Sequence, residues 1–307
     1  FDHGAQFFTI RDPRLRPYLN SWIQEGVVAE WKGRLARIRG GVLETAKPDP
    51  RYVGDPGMIR LAEHLGGGTR VESGRRIESA RRGGTGWVLT DADGNQSGEF
   101  DWVLVAVPAP QAVALLEEVP RLRESAASVE MAPCWAGLFA FSDPLPLPFD
   151  GAFVEGGPIS WLARDGSKPG RAHGERWVVH ATPGWTRAHL GLERDVAAEE
   201  ILAAFRAWSE GSLGLGDALP TPTFQRAHRW GYALATEPLL DGCLVDADAG
   251  IGVCGDWCLG GRVEGALLSG AALAGRILGQ ASADPGNPLG DSGQGRSGPI
   301  QGELALP

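Results

Sequence analysis

The stretch Gly250-Ile251-Gly252-Val253-Cys254-Gly255-Asp256-Trp257, followed by Gly260-Gly261-Arg262-Val263-Glu264-Gly265-Ala266, decides the fold. Its first six residues satisfy G-x-G-x-x-G, the dinucleotide fingerprint, but the context that gives the motif meaning is missing. A working fingerprint follows a strand, opens a helix and lies inside a βαβ unit. Here the apolar run Gly250 to Cys254 is itself the strand, and too little chain follows for another βαβ unit. The match is therefore discounted. What remains is a strand ending in Gly-Asp, a short glycine-rich loop, and a helix from Val263 to Leu278 rich in alanine and glycine.

That order has a chemical use. An aspartate at the carboxyl end of a strand accepts hydrogen bonds from ribityl or ribose hydroxyls, and amides at a helix N-terminus attract an electron-rich group through the helix dipole. A flavin offers both. The competing reading is a buried αβ packing unit whose Asp256 only caps its loop, and on residue chemistry alone this is the commoner outcome.

Outward from this segment, two textures alternate. Pro13 to Trp31 carries Leu15, Leu19, Trp22 and Ile23 at helical spacing, then Val27-Val28-Ala29 as the start of a strand. Asp55-Pro56-Gly57 is expected to open a helix through Leu65, with Asp55 as N-cap and Gly66-Gly67-Gly68 as the stop. From Thr69 the period becomes two. Arg70 to Arg81, Gly86 to Thr90 and Glu99 to Val107 read as an antiparallel meander turned at Asp93-Gly94, and Trp102 to Val107, apolar on both faces, reads as a buried strand. Between Val119 and Ala235 come many tryptophans, short strands and one clear helix from Asp195 to Ser209. Ser282 to Pro307 lacks aromatic residues and periodicity and is expected to be a disordered tail.

Composition narrows the function classes. The 307 residues are 43% hydrophobic and carry a formal charge of -9, enough for a large core and adverse to nucleic acid. No apolar run is long enough to cross a membrane, and no basic-then-apolar leader precedes Asp2. Cys134, Cys243, Cys254 and Cys258 lack C-x-x-C spacing, so neither a zinc site nor a disulfide framework is expected, and a reducing cytoplasm fits. No Ser-His-Asp, H-E-x-x-H or paired-carboxylate motif occurs, which suits chemistry carried by a cofactor. The chain does not begin with methionine, and its first residues read as the middle of a domain.

An ordered set of motifs resembles one family. Asp2-His3-Gly4-Ala5-Gln6-Phe7-Phe8-Thr9, Tyr52-Val53-Gly54-Asp55-Pro56-Gly57-Met58, Val107-Pro108-Ala109-Pro110-Gln111, Trp161-Leu162-Ala163-Arg164, Ser167-Lys168-Pro169-Gly170-Arg171, Ala227-His228-Arg229-Trp230 and the Cys254 to Gly270 block are similar to bacterial renalase-like flavoproteins of the amine-oxidase-like superfamily. The resemblance implies FAD as cofactor and an α/β plus β, p-hydroxybenzoate-hydroxylase-like two-domain fold. It also implies an N-terminally truncated Rossmann-type domain, because the family's strand, G-x-G-x-x-G loop and helix for the ADP half of FAD would precede Asp2. The expected organisation is a first substrate-domain segment over 1–51, an FAD-binding segment over 52–118, and an antiparallel-sheet substrate domain over 119–238. A C-terminal FAD-binding segment over 239–280 and the tail over 281–307 complete it.

By the resemblance, Gly255, Asp256, Arg262, Val263, Glu264 and Gly265 hold the cofactor, mainly through backbone amides. Gln6 passes near the flavin ring, or alternatively makes a structural hydrogen bond in a buried strand. His228, Trp230 and Tyr232 alternate along a strand and so share a face. Gln6, His228 and Trp230 are expected to act at the ring, with Tyr232, Trp161 and Arg164 meeting substrate through stacking and charge. The alternatives are core packing for His228 and solvation for Arg164. The implied activity is oxidation of isomeric dihydronicotinamide dinucleotides by hydride transfer to flavin, with O2 as electron acceptor. A flavin-dependent amine oxidase and a non-catalytic fragment are the rivals.

Overall fold

Met131–Phe141 is apolar without alternation, and it folds into a strand buried on both faces. The structure, a computed structural model, describes residues 1–47, 49–215 and 219–279. In chain order come α1 (Arg16–Gln24), β1 (Val28–Glu30), β2 (Leu35–Arg39), β3 (Val42–Thr45), β4 (Tyr52–Gly54) and α2 (Ile59–Leu65). Next are β5 (Ile77–Arg82), β6 (Trp87–Asp91), β7 (Val103–Val105), α3 (Ala109–Leu115), α4 (Pro120–Ala127) and β8 (Met131–Phe141). Then follow β9 (Gly151–Glu155), β10 (Ile159–Arg164), β11 (Glu175–Ala181), α5 (Pro183–Ala188) and α6 (Arg194–Leu213). β12 (Phe224–Ala235), β13 (Leu244–Asp246), β14 (Ile251–Val253) and α7 (Val263–Ile277) close the series.

The chain divides into two compact units. Of the described residues, the first holds Phe1–Thr69 and Pro133–Ala233, the second Arg70–Ala132 and residues 234–279. In the first, a seven-stranded sheet runs in the order β12-β8-β11-β10-β9-β2-β3. On one side Trp135, Phe139, Leu162 and Trp177 pack with Ile201 and Phe205 of α6. A second cluster joins Trp31, Leu35, Val53, Trp161 and Ala163. Each fully buried large side chain contributes on the order of 1.5–3 kcal/mol.

In the second unit β14 pairs antiparallel with β13 and parallel with β7. Val103, Val105, Leu116, Leu122, Ile251, Val253 and Trp257 form one core there. β5 and β6 make a separate antiparallel ladder, Ile77↔Asp91 to Arg82↔Trp87.

Several expectations need correction. The third strand of the expected meander keeps only a bridge to it, Trp87↔Phe100, and then leaves, because Val103 to Val105 finds its partner in β14. It lies at the edge of its sheet among the described residues, and it is covered on one face alone, with Val103 and Val105 buried and Leu104 51% exposed. Asp55 does not cap α2, whose N-cap position is Met58. Residues 52–69 belong with the first unit, since β4 pairs with β1 (Ala29↔Val53), and residues 119–132 belong with the second. The expected tail over 281–307 lies outside the described residues.

Candidate functional site

Asp256 stands where β14 hands over to the loop before α7. Cys254 N donates to Val105 O at 3.0 Å, ending the parallel ladder, and Gly255 N donates to Ser269 Oγ of α7 at 3.0 Å. A single 3-10 turn, Asp256–Cys258, then reverses the chain. Asp256 O accepts from both Gly260 N and Gly261 N at 2.8 Å, and the Trp257 indole N–H donates to Val107 O at 3.0 Å. The glycine at 255 is required by space: a Cβ there would sit 2.8 Å from Trp257 Nε1. Arg262 takes the N-cap position of α7, Val263 and Glu264 begin its first turn, and Gly265 is buried.

Whether this loop suits a flavin is decided by what the protein leaves unfilled. Among the described residues only the amides of Asp256 itself and Trp257 reach the Asp256 carboxylate, the latter at 2.9 Å. Burial raises its pKa because so few donors compensate. Hydroxyl donors from a ligand would supply what is lacking. No side chain caps the first turn of α7, and a Cβ at Gly260 would meet nothing within 4 Å. An under-partnered carboxylate, an uncapped helix start and open space beside a glycine fit a ribityl chain and an electron-rich ring edge. Glu264 adds a negative charge in that turn and would oppose a reduced, anionic flavin, so the backbone must carry the favourable interaction.

The first unit contains two further groupings. His228, Trp230 and Tyr232 share one face of β12, as their spacing predicts, and His3 completes the group. The His3 and His228 rings lie 4.6 Å apart, His3 and Trp230 stack at 5.3 Å, and Trp230 Nε1 donates to His3 O at 3.0 Å. Burial, as first cause, lowers the pKa of both imidazoles below 6.5, so they are neutral at pH 7. Tyr232 is 43% exposed.

Gln6 enters the second grouping and is fully buried, though in a loop and not a strand. Its Oε1 accepts from Lys168 Nζ at 3.0 Å, and its Nε2 donates to Asp2 O and Gly4 O. The Asp2 carboxylate accepts from Met58 N at 3.0 Å, Lys168 Nζ at 3.5 Å and Arg171 Nη2. Arg171 also donates to Gly54 O at 2.5 Å, and Gly170 (φ 71°) lets the backbone come against Asp55 and Pro56 where any Cβ would collide. Three of the motifs quoted above thus converge on one latch. Burial opposes ionisation of Asp2, but Lys168 and Arg171 outweigh it and hold the carboxyl below its usual range. Burial pushes Lys168 down from 10.5, with Asp165 and Asp2 resisting.

Trp161 and Arg164 do not act together. Three residues apart on β10, they lie on opposite faces, and β8 and β11 separate β10 from β12. Trp161 is 1% exposed against Phe153 and Trp31, with its indole N–H unpartnered among the described residues. Arg164 is spent on Glu175 (2.5 Å) and the Trp177 ring (4.9 Å), a structural use in place of the expected substrate contact. Sequence reading missed Asp2, Lys168, Arg171 and His3 as members of a site. The signal available was that all four sit inside the quoted motifs and that Lys168 is one of only three lysines.

The fold is mixed α/β, with a loop before α7 that leaves a carboxylate and a helix start open to a ligand. The chain is a member of the flavin containing amine oxidoreductase family, whose sequence profile matches residues 29–278. The family's cofactor is a flavin, FAD, which agrees with the fit at Asp256. A crystal structure assigned as a protoporphyrinogen oxidase from Exiguobacterium sp. 255-15 is similar in fold, with TM-score 0.53 and 16% identity. The match covers 76% of this chain and 54% of that one, so the chain spans about half the length of this neighbour. No helix among the described residues is long and apolar enough to cross a membrane, and no His/Cys/Asp/Glu cluster there suits a metal ion.

Proposed function

We propose that the protein is a renalase-like, FAD-dependent oxidoreductase that oxidises isomeric dihydronicotinamide dinucleotides, with O2 as the electron acceptor and hydrogen peroxide as product. The observation that carries this reading is the ring-lined face of His3, His228, Trp230 and Tyr232, whose imidazoles are neutral at pH 7. Such a face stacks a flat, uncharged dihydropyridine better than it solvates an ammonium ion. Bound flavin supplies the hydride acceptance. The residues of this chain bind and orient: Asp256 takes ribityl hydroxyls, the first turn of α7 stabilises negative charge, and the β12 face holds the substrate ring. In this reading the complete protein has the p-hydroxybenzoate-hydroxylase-like two-domain fold and works in the cytoplasm.

Amine oxidation is the second reading, favoured by the family match itself. Anaerobic mixing of the flavin-loaded protein with each substrate class separates them. Rapid bleaching by the dihydronicotinamide dinucleotides and not by benzylamine-like amines is expected. The reverse pattern would establish the amine reading.

A further inference from the structure

Cys243, Cys254 and Cys258 all lie in the second unit with free thiols, and nothing in the flavin reading uses them. The hydrogen-bond parity of β14 fixes how two of them meet. Gly250 O accepts from Val103 N and Cys254 N donates to Val105 O, both at 3.0 Å, so the even-numbered residues of β14 turn their polar groups toward β7. Ile251 and Val253 therefore exchange theirs with β13, in the registered pairs Ile251↔Asp246 and Val253↔Leu244. Continuing that register one step past the last registered pair sets Cys254 opposite Cys243 as a non-hydrogen-bonded pair, and the Cys243 thiol is close enough to act on the titration of Cys254. At such pairs Cα atoms lie about 4.5 Å apart and side chains are closest, inside the roughly 4.4–6.8 Å that a disulfide spans.

Cys254 faces α7, since a Cβ at Gly252, two residues before it on the same face, would run into Leu273, and a residue directly opposite on the paired strand shares that face. Cys258 is the third neighbour, its carbonyl accepting from Gly242 N at 3.1 Å. Burial raises all three thiols, and it pushes Cys258 furthest, to about 12, leaving it the poorest nucleophile of the three. Cys254 is the only one of the three not fully covered.

We propose that Cys243 and Cys254 are a redox-active dithiol that a hydroperoxide converts to a cross-strand disulfide two residues before Asp256. The Cys254 thiolate attacks one peroxide oxygen, the O–O bond breaks, and a sulfenic acid forms as the other oxygen leaves and takes a proton to become water. The Cys243 sulfur then attacks the sulfenic sulfur, the S–O bond breaks, and a second water leaves with the two remaining protons. Two thiols lose two electrons, and one hydrogen peroxide becomes two waters. The oxidant is of the kind the proposed O2 reaction releases, but the pairing stands on β-sheet register and not on that reading.

The test supplies hydrogen peroxide to the full-length protein, alkylates remaining thiols in denaturant and maps the peptides. Loss of two of the four thiols is expected, in one crosslinked pair containing Cys243 and Cys254, and reversible by dithiothreitol. Cys134→Ser should give the same crosslink, and Cys254→Ser should keep all its remaining thiols at the same exposure. Since the peroxide is added, a protein without flavin still gives a readable result. Unchanged thiols, a Cys254–Cys258 bond, or Cys254 taken to sulfinic acid beside an intact Cys243 would each overturn the proposal. Should Cys254→Ser fail to fold, the wild-type peptide map decides alone.

Discussion

Asp256 and Lys168 are both charged groups placed where water is scarce, and their partners set opposite consequences. Among the described residues Asp256 has only two amide donors, and burial raises its pKa. Asp256→Ala should weaken FAD binding by about 1.5–3 kcal/mol, the cost of a lost hydrogen bond to a charged group. A fluorescence titration of the two proteins with FAD measures it, and equal affinities would remove Asp256 from the site. Lys168 has Gln6, Asp2 and Asp165 around it, yet its folded pKa is still below 10.5. Between the folded value and 10.5 the unfolded chain binds more protons, so this group makes stability rise with pH across that window. Lys168→Met should abolish the rise and, by removing one charged hydrogen-bond partner from Gln6, Asp2 and Asp165, cost about 1.5–3 kcal/mol near neutrality. Urea denaturation over a pH series tests both parts. Asp256 could be singled out in the sequence because the strand, the Gly-Asp pair, the glycine-rich loop and the helix are contiguous, although only the family resemblance turned that order toward a flavin. The Asp2–Lys168–Arg171 latch could not, because Asp2 meets partners more than 160 residues away and no periodicity announces such a pairing.

At the scale of elements, periodicity served where one face is buried. α7 came out within one residue of its expected limits, and α6 starts one residue before its expected start and runs on to Leu213, because their patterns are long and their burial one-sided. It failed at β7, where a doubly apolar run says nothing about which strand lies beside it; Val103 pairs with Ile251 and not with the meander that precedes it. The loop between β14 and α7 is held by close packing as much as by hydrogen bonds. Gly255→Ala would press a methyl against the Trp257 indole, whose N–H anchors on Val107. The strain should cost about 1–3 kcal/mol and shift the tryptophan emission together with flavin retention. Unchanged emission and melting temperature would show that the loop tolerates the methyl by moving elsewhere. On β12, protonation of His3 or His228 places positive charge on the aromatic face. Both folded values lie below 6.5, so substrate affinity should hold at neutral pH and fall as pH drops through them, and His228→Phe should flatten that profile.

Over the whole molecule, the two units own separate cores, and the Asp256 loop proposed to hold the flavin belongs to the second. A cofactor bound there stabilises that unit by mass action, about 2.7 kcal/mol at a hundredfold excess over its Kd. Hydrogen exchange should therefore show slower exchange across residues 251–277 when FAD is added. The resemblance carried by the ordered motifs was enough to anticipate a flavoprotein. The partition of residues 52–69 and 119–132 was not legible, because it depends on which distant strand each segment joins. The claim on which the rest depends is that this protein holds a flavin at the Asp256 loop. The most direct measurement is the visible absorbance spectrum of the purified full-length gene product beside its Asp256→Ala variant, each given FAD and then freed of unbound cofactor. The account predicts an oxidised-flavin band in the first that is strongly reduced in the second. A colourless wild-type protein, or equal bands in both, would contradict it.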